Sequence, residues 1–536
     1  MNRKNLTAAV LAALAGAAGI AGTAQAVNIN PDGTGQVLLF PYYTANDGNQ
    51  TLLTVVNTTE QAKALKVRFM EGFNSREVLD FNLYMSHHDV WVAAVVDFGA
   101  STGMSGAQPY LMIPDNSCTV PYLYPQGGHQ FLDLAYTDNS DVGGPDLTDG
   151  GPTSLTRAAE GHFEVIEMGT LVGEAAAAAT HDMDGIPANC QLLTDRWTES
   201  NGPEGNGIWF DEAQDDEQAS TDTLRNSGGV FGTAAIVNSE NGTMYSYDAQ
   251  AIQGFDSTAD GIHYIPGTIH PSLNDGNEDT SYVFFGVPQN TVVELEYDET
   301  IDAVSSVFMH EHLMNEYVVL DDLDAGTEWI VTFPTKNFYA DQLRLEIEGL
   351  DEEFCTGEGD DEVCVDLARD PFTKLFGAEQ AGGTPDCEVV SIKTWDRDEQ
   401  TYNPDAPPTG TRPPVVSPSL PECDPVLDPE CRPDETPFQL CNEVNVLRFG
   451  ESVVFGTPSF AEGSLLLSVD DEFEAGWGRI NFGGRTDEEG LVGLPVTGFA
   501  AEEYENDFAE GGDVKAFYGG LFRHKYNVRR VNRDPR

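Results

Sequence analysis

The chain has 536 residues and carries 89 acidic against 27 basic side chains, which gives a formal net charge of −62. Such an excess repels nucleic acid and anionic lipid, so neither is expected as a partner. Forty per cent of the residues are hydrophobic and 28 are Phe, enough for real cores, so the chain is not disordered as a whole. The acid excess is typical of a surface adapted to salty surroundings, and cation binding is the alternative interpretation.

The first 26 residues have the pattern of a secretory signal peptide. Arg3 and Lys4 precede a short apolar run rich in Ala and Leu, and residues 24–26, Ala-Gln-Ala, fit a signal-peptidase site. The mature chain is therefore expected to begin at Val27 and to be exported to the periplasm, the cell surface or the medium. No later stretch is both apolar and long enough to span a bilayer, so no transmembrane helix is expected after cleavage.

Residues 36–96 have the alternating pattern of β-strands. Leu65, Val67 and Phe69 alternate with Lys66 and Arg68, a period of two that predicts one face in a core and one in water. Turns rich in Asn, Asp and Gly separate the apolar runs. This spacing predicts an antiparallel sandwich of immunoglobulin-like type.

The predicted fold class is mostly β, with two immunoglobulin-like antiparallel β-sandwich units and loop-rich, disulfide-pinned insertions. Changes in composition divide the chain into six segments. These are 1–26, the signal peptide; 27–100, the first sandwich; 101–225, a loop-rich insertion with a short helix; 226–350, the second sandwich; 351–442, an acidic excursion rich in Pro and Cys; and 443–536, strands that complete the second sandwich and end in a basic tail.

Two segments share a short pattern. An apolar strand that ends in Val-Asn, followed by a polar turn and an alternating strand, occurs at Asn57 and again at Asn238. The recurrence favours an internal repeat of one sandwich unit.

Eight cysteines in an exported chain predict disulfides rather than free thiols. None stands in a C-x-x-C pair, which argues against zinc-ribbon and haem-attachment sites. Many pairings are combinatorially open, and proximity along the chain favours four: Cys118 with Cys190, Cys355 with Cys364, Cys387 with Cys441, and Cys423 with Cys431.

The sharpest candidate for chemistry is the run His310-Glu311-His312, followed by Glu316. On one strand His310 and His312 would share a face, as metal ligands do, and Glu316 would supply a third ligand. The alternative is a strand end or turn at the surface.

The H-x-H-x3-E spacing of these residues resembles the first metal motif of cupins, β-barrel proteins that often hold a divalent metal. His270 and Asn274 similarly resemble the second cupin motif. The flanking cupin glycines are replaced by Val304 and Leu323, and the two half-motifs stand in reverse order. The resemblance implies a metal-dependent enzyme centred on His310 and His312.

Three further groups are weaker. His87-His88-Asp89 is predicted to be a turn, because adjacent strand residues point to opposite faces. Residues 182–185, Asp-Met-Asp-Gly, resemble the start of a calcium loop but lack its later ligands, so a turn is expected there too. Aromatic residues at strand spacing offer either a sugar-binding platform or core packing: Tyr42, Tyr43, Trp91, Tyr245, Tyr247 and Trp329.

Three stretches of the sequence resemble uncharacterised exported proteins of Gram-negative bacteria. They are LLFPYYT at 38–44, VRFMEGFNSREVLDFNLYMS at 67–86 and WIVTFPTKNFY at 329–339. The order of strands in the first sandwich is also similar to bacterial immunoglobulin-like surface modules. These resemblances imply export and an intact β fold, and they transfer no catalytic residue.

Three functions follow as hypotheses. The favoured one is a non-enzymatic surface or periplasmic protein with an adhesive, matrix or scaffolding role, which needs no cofactor and binds itself, another surface protein or a glycan. The alternatives are the metal-dependent enzyme and a carbohydrate-binding protein that uses exposed aromatic rings and calcium. The basic C-terminal tail is expected to dock on the acidic body or on a neighbour.

Overall fold

The computed structural model describes residues 26–99, 107–200, 202, 205–213, 218–286, 288–320, 323–356, 363–376, 387–399, 436–458, 465–467, 474–509 and 514–531. In the first half the strands are β1 (Asn28–Ile29), β2 (Val37–Thr44), β3 (Asn49–Asn57), β4 (Lys63–Glu71), β5 (Glu77–Met85), β6 (Val90–Asp97), β7 (Pro109–Met112), β8 (Cys118–Val120), β9 (Gly128–Gln130), β10 (Glu160–Leu171), β11 (Thr223–Leu224), β12 (Val230–Asn238), β13 (Thr243–Asp248) and β14 (Gln250–Gln253).

In the second half the strands are β15 (Thr280–Phe285), β16 (Thr291–Glu296), β17 (Met309–His310), β18 (His312–Val318), β19 (Ala325–Thr332), β20 (Glu352–Thr356), β21 (Val363–Leu367), β22 (Glu388–Asp396), β23 (Thr436–Leu440), β24 (Val444–Phe449), β25 (Leu465–Leu467), β26 (Ala475–Asn481), β27 (Leu491–Val492), β28 (Leu494–Pro495), β29 (Thr497–Ala509), β30 (Val514–Arg523), β31 (Lys525–Asn527) and β32 (Arg529–Arg530). The α-helices are α1 (Gly173–Ala179), α2 (Cys190–Arg196), α3 (Ile208–Glu212), α4 (Thr300–Ser306), α5 (Asn337–Ala340) and α6 (Gln342–Glu348). The mostly β, antiparallel fold class is confirmed.

The first half of the chain builds two facing sheets. One has the strand order β1-β14-β2-β10-β4-β5-β8 with β11 on β10, and the other has the order β13-β12-β3-β6-β7-β9. Apolar residues of both sheets form one core cluster, in which Phe81 of β5 meets Trp91 of β6 at 5.8 Å between ring centroids. This is the sandwich packing that the alternating pattern of residues 36–96 predicts.

Strand pairing crosses the boundaries predicted from composition. Strand β10, from the predicted loop-rich insertion, lies between β2 and β4 at the centre of its sheet. The two segments of the predicted repeat are adjacent antiparallel strands, with Asn49 opposite Asn238 and Asn57 opposite Val230. The likeness between them therefore corresponds to two neighbouring strands of one sheet.

The outer face of the first sheet is not in water, contrary to the prediction. Lys66, Arg68 and Asn82 are buried, at 0%, 3% and 0% exposure. The connection between β14 and β15 covers them, since the Lys66 ammonium donates to the Thr268 carbonyl at 3.0 Å and the Asn82 amide to the Tyr264 carbonyl at 2.9 Å.

Buried charges on this covered face are paired. Arg68 donates to the carboxylates of Glu164 and Glu77, both at 2.7 Å, and Lys66 forms an ion pair with Asp80. These partners are needed because a buried charge is costly unless it is paired and hydrogen-bonded. The alternating pattern in the sequence shows which face of a strand is polar, but it does not show whether that face is in contact with water.

The second half contains a second pair of sheets, with the orders β23-β22-β26-β18-β31 and β25-β24-β19-β29-β30. Their core cluster includes Leu313 and Ile480 from one sheet and Trp329 and Phe449 from the other. It continues without interruption to Leu39 of β2 in the first half. The two halves therefore share a core, and the count of two immunoglobulin-like units stays a prediction.

Two disulfides join the partners that proximity predicts. Cys118 of β8 is bonded to Cys190 at the start of α2, and Cys387 to Cys441 beside the β22–β23 ladder. Cys355 and Cys364 are opposite each other in the β20–β21 hairpin. The predicted pair of Cys423 and Cys431 lies outside the described residues.

Candidate functional site

His310 and His312 do not lie on one continuous strand. His310 ends β17, a bend at Glu311 follows, and His312 begins β18. The His310 ring is buried and stacks on Tyr526 at 3.8 Å between centroids, while its Nδ1 donates to the Met309 carbonyl at 2.8 Å. Burial lowers the pKa of His310 to about 3, so the ring is neutral.

The other predicted ligands have different surroundings. His312 Nδ1 lies 2.7 Å from the Asn527 side-chain oxygen, and Glu316 is exposed opposite Trp477. Within the residues that the structure describes, no group of three or more His, Cys, Asp or Glu side chains is arranged to hold a metal ion. His310, His312 and Glu316 thus do not form such a group.

The residues of the second cupin-like half-motif are held in local hydrogen bonds. His270 Nδ1 lies 2.9 Å from a carboxylate oxygen of Asp275. The Asn274 amide oxygen accepts from the backbone of Ile301 at 3.0 Å, at the start of α4, and its nitrogen donates to Glu348 at 3.3 Å. These contacts fix the loop against α4 and α6.

Both predicted turns are confirmed. His87 and His88 lie at a turn, where Asp89 accepts from the Ser86 backbone N–H at 2.9 Å. Asp182 similarly accepts from the backbone N–H groups of Asp184 and Ile186, at 2.8 and 3.1 Å. In each case the carboxylate organises its own loop.

The six aromatic residues considered as a sugar platform pack inside the protein. Five of them are at most 3% exposed: Tyr42, Tyr43, Trp91, Tyr245 and Trp329. The sixth, Tyr247, is half-buried and donates from its hydroxyl to the Tyr42 carbonyl. Core packing, the alternative interpretation, is therefore the one that the structure supports.

A different aromatic pair reaches the surface. Trp395 of β22 and Trp477 of β26 are register partners, and their rings stack at 4.0 Å between centroids with an interplanar angle of 8°. Trp395 is half-buried and Trp477 is 40% exposed. Their neighbours Ile392 and Ile480 point to the core, so the strand alternation places both rings on the outer side of the sheet.

Cationic side chains lie in the next row of the same face. Lys393 and Arg479 are register partners, and their charged groups lie 5.3 and 5.4 Å from the Trp395 ring centroid. Both also engage other groups of the chain. Lys525 lies in the same row, opposite Met314 on β18. We call Trp395, Trp477, Lys393, Arg479 and Lys525 the tryptophan face.

This face combines two chemistries. A large exposed ring presents a flat apolar surface, and an adjacent cation both polarises the stacked rings and attracts anions. A row of cations is also unusual on a chain of net charge −62. The face therefore offers a flat apolar ring with a row of cations on one side and Glu316, opposite Trp477, next to it in its own row.

The sequence held a partial signal for this face. Ile392 and Thr394 alternate with Lys393 and Trp395, a strand pattern inside the segment interpreted as an acidic excursion. The local sequence does not predict that this strand pairs with β26, and it is this pairing that stacks Trp477 on Trp395.

The fold and this face define a mostly β protein with an aromatic, cationic sheet surface, and its described residues contain the disulfides Cys118–Cys190 and Cys387–Cys441. In the described part of the chain, none of the helices has the length and apolar character needed to cross a membrane. No family model, no curated protein and no solved structure matches the chain. The resemblance to exported bacterial surface modules stays a prediction.

Proposed function

We propose that this protein is an exported, non-enzymatic protein of the cell surface or periplasm, with an adhesive, matrix or scaffolding role exerted by binding glycan. The observation that carries the proposal is the stacked pair of Trp395 and Trp477 on the outer side of a sheet, with Lys393 and Arg479 beside it.

Export is supported by the signal-like residues 1–26 and is compatible with the two disulfides, since such bonds persist in oxidising compartments. A rigid support suits a binding role. The tryptophan face lies on strands rather than loops, and Thr394 and Ile480 beneath it are buried, so the rings are held in place before a ligand arrives.

The mode of binding follows from the geometry. The C–H face of a sugar ring stacks on an exposed indole, and the neighbouring cations pair with carboxylate or sulfate groups of an acidic polysaccharide. Trp477 is the central contact because it is 40% exposed, whereas its partner Trp395 is half-buried. Trp is one of the residue types enriched among those that contribute most to binding energy at interfaces.

A glycan array followed by calorimetry on the full exported chain tests the proposal. We expect Trp477→Ala to weaken binding of the best acidic glycan at least tenfold, about 1.4 kcal/mol. Tyr518→Ala is the matched control, because Tyr518 is an exposed aromatic residue of the other sheet, at 59% exposure. The control variant should bind like the natural protein.

Two results would overturn the proposal. One is a natural protein that binds no glycan on the array, and the other is equal affinity for the natural protein and the Trp477→Ala variant. Repeating the array with added calcium and with a chelator tests the calcium-dependent form of the carbohydrate hypothesis, which predicts binding only when calcium is present.

A further inference from the structure

A cavity of about 800 Å³ opens beside the buried ring of His310. It lies between β1, the β15–β16 hairpin and the last strands of the chain. Its volume is in the range of small-molecule sites in proteins, ~300–1,000 Å³. Nothing in the proposed glycan binding uses this cavity.

The wall of the cavity is mainly apolar. Ile29, Val307 and Val528 line it together with Phe284 and Val292 of the hairpin. Phe284 and Val292 are cross-strand partners and remain 55% and 59% exposed. Large apolar side chains left exposed side by side are costly in water, so an apolar ligand body would relieve that cost.

One end of the cavity is polar and carries a cation. The Arg523 guanidinium is at the rim, where one of its amino groups donates to Gln250 at 3.1 Å. Burial is the main cause that lowers the pKa of His310, and the nearby positive charge of Arg523 lowers it as well. Since Nδ1 of the neutral ring holds the proton that bonds to Met309, Nε2 is the acceptor nitrogen.

Acidic residues are missing from this wall. Among the described residues that line the cavity none is Asp or Glu, in a chain where 89 of 536 residues are. Because no negatively charged side chain lines this wall, an anion is repelled less here than over the rest of the acidic surface.

We propose that the cavity binds an amphipathic carboxylate, a long-chain fatty acid. The carboxylate pairs with the Arg523 guanidinium at the rim, and the acyl chain lies against Phe284, Val292 and Val307. The proposal is independent of glycan binding, because it uses none of the residues of the tryptophan face.

Fluorescence titration of the full exported chain with a polyene fatty acid tests this proposal. We expect one saturable site, displaced by palmitate. Arg523→Gln should weaken the fatty acid about tenfold and leave the affinity for the fatty alcohol of the same length unchanged. Arg530→Gln is the matched control, because it removes the same guanidinium charge from a side chain that pairs with Glu489 and does not line the cavity.

A second variant tests the apolar end. Val292→Asp places an acid in the wall at an exposed position, so it does not disturb the core, and it should abolish binding of both ligands. The proposal is overturned if the natural protein shows no saturable binding. It is equally overturned if Arg523→Gln and Arg530→Gln have the same effect, or if Val292→Asp binds normally.

Discussion

Arg157 donates to both carboxylate oxygens of Glu71, from Nε at 2.9 Å and from Nη2 at 3.1 Å, and neither side chain is exposed to solvent. The same guanidinium binds Asp149 at 2.6 Å and lies 4.2 Å from the centroid of the Tyr136 ring. This pair ties the end of β4 to a segment far along the chain, and it satisfies a charge that would be very costly alone.

Removing that arginine should destabilise the protein strongly. Arg157→Met leaves the buried Glu71 carboxylate without its cationic partner, although backbone N–H groups of Phe73 and Arg76 still donate to it, and the expected loss in the free energy of unfolding is about 3–5 kcal/mol. Urea denaturation followed by circular dichroism measures it. Arg530→Met is the control, since its pair with Glu489 is exposed and should contribute less than about 1 kcal/mol. Equal losses in the two variants would contradict the buried-pair account.

Stability is expected to fall as pH rises towards 8, because of Glu328. Burial on β19 raises the pKa of Glu328 from its ordinary value of 4.5 to about 8, and this outweighs the nearby Arg448. Between those values the folded state holds a proton that the unfolded state has lost. The free energy of unfolding therefore decreases with pH across this window, by up to about 1.4 kcal/mol per pH unit from this group.

Glu328→Gln removes the titrating group and should flatten that part of the pH profile. Thermal unfolding at intervals between pH 5 and 8 measures the slope, with Glu296→Gln, at an exposed position of β16, as the control. An unchanged slope in Glu328→Gln would show that other groups determine the pH dependence.

The disulfide between Cys118 and Cys190 should stabilise the first half of the chain. It closes a separation of 72 residues and lies in a small core cluster with Leu193 and Trp197 of the α2 region. Replacing both cysteines with serine should cost about 2–4 kcal/mol, because the unfolded chain gains freedom. Denaturation of the double variant measures the loss, and non-reducing peptide mapping of the natural protein should recover the same bond. Cys118 joined to any other cysteine would refute the pairing.

Residues 527–530 dock on acidic side chains of the body. Arg529 pairs with Glu311 at 2.6 Å, and the Asn527 amide donates to the same carboxylate at 2.9 Å. Deleting residues 527–536 should lower the melting temperature by a few degrees in low salt, and less in high salt, where exposed charges are screened. The control deletion, 532–536, leaves both contacts in place and should have no such effect. A loss that does not change with salt would argue against an electrostatic origin.

The sequence by itself determined many of the strands and turns of this protein. A period of two in segments such as 65–69 specifies strands, because alternate side chains of a strand face opposite sides whatever the neighbours are. Turn chemistry likewise predicted the turns at residues 87–89 and 182–185, because a turn is held by contacts between residues a few positions apart. The partners of Cys118 and Cys387 were predicted by proximity along the chain.

Tertiary structure alone decided which faces meet water and which residues meet each other. Lys66 and Arg68 alternate with core residues as solvent-exposed charges do, yet a distant connection buries them among carboxylates. His310 and His312 have the spacing of ligands, but a bend separates their strands. Trp395 and Trp477 stack only because β22 pairs with β26, and such long-range pairing depends on the packing of the whole chain rather than on local sequence.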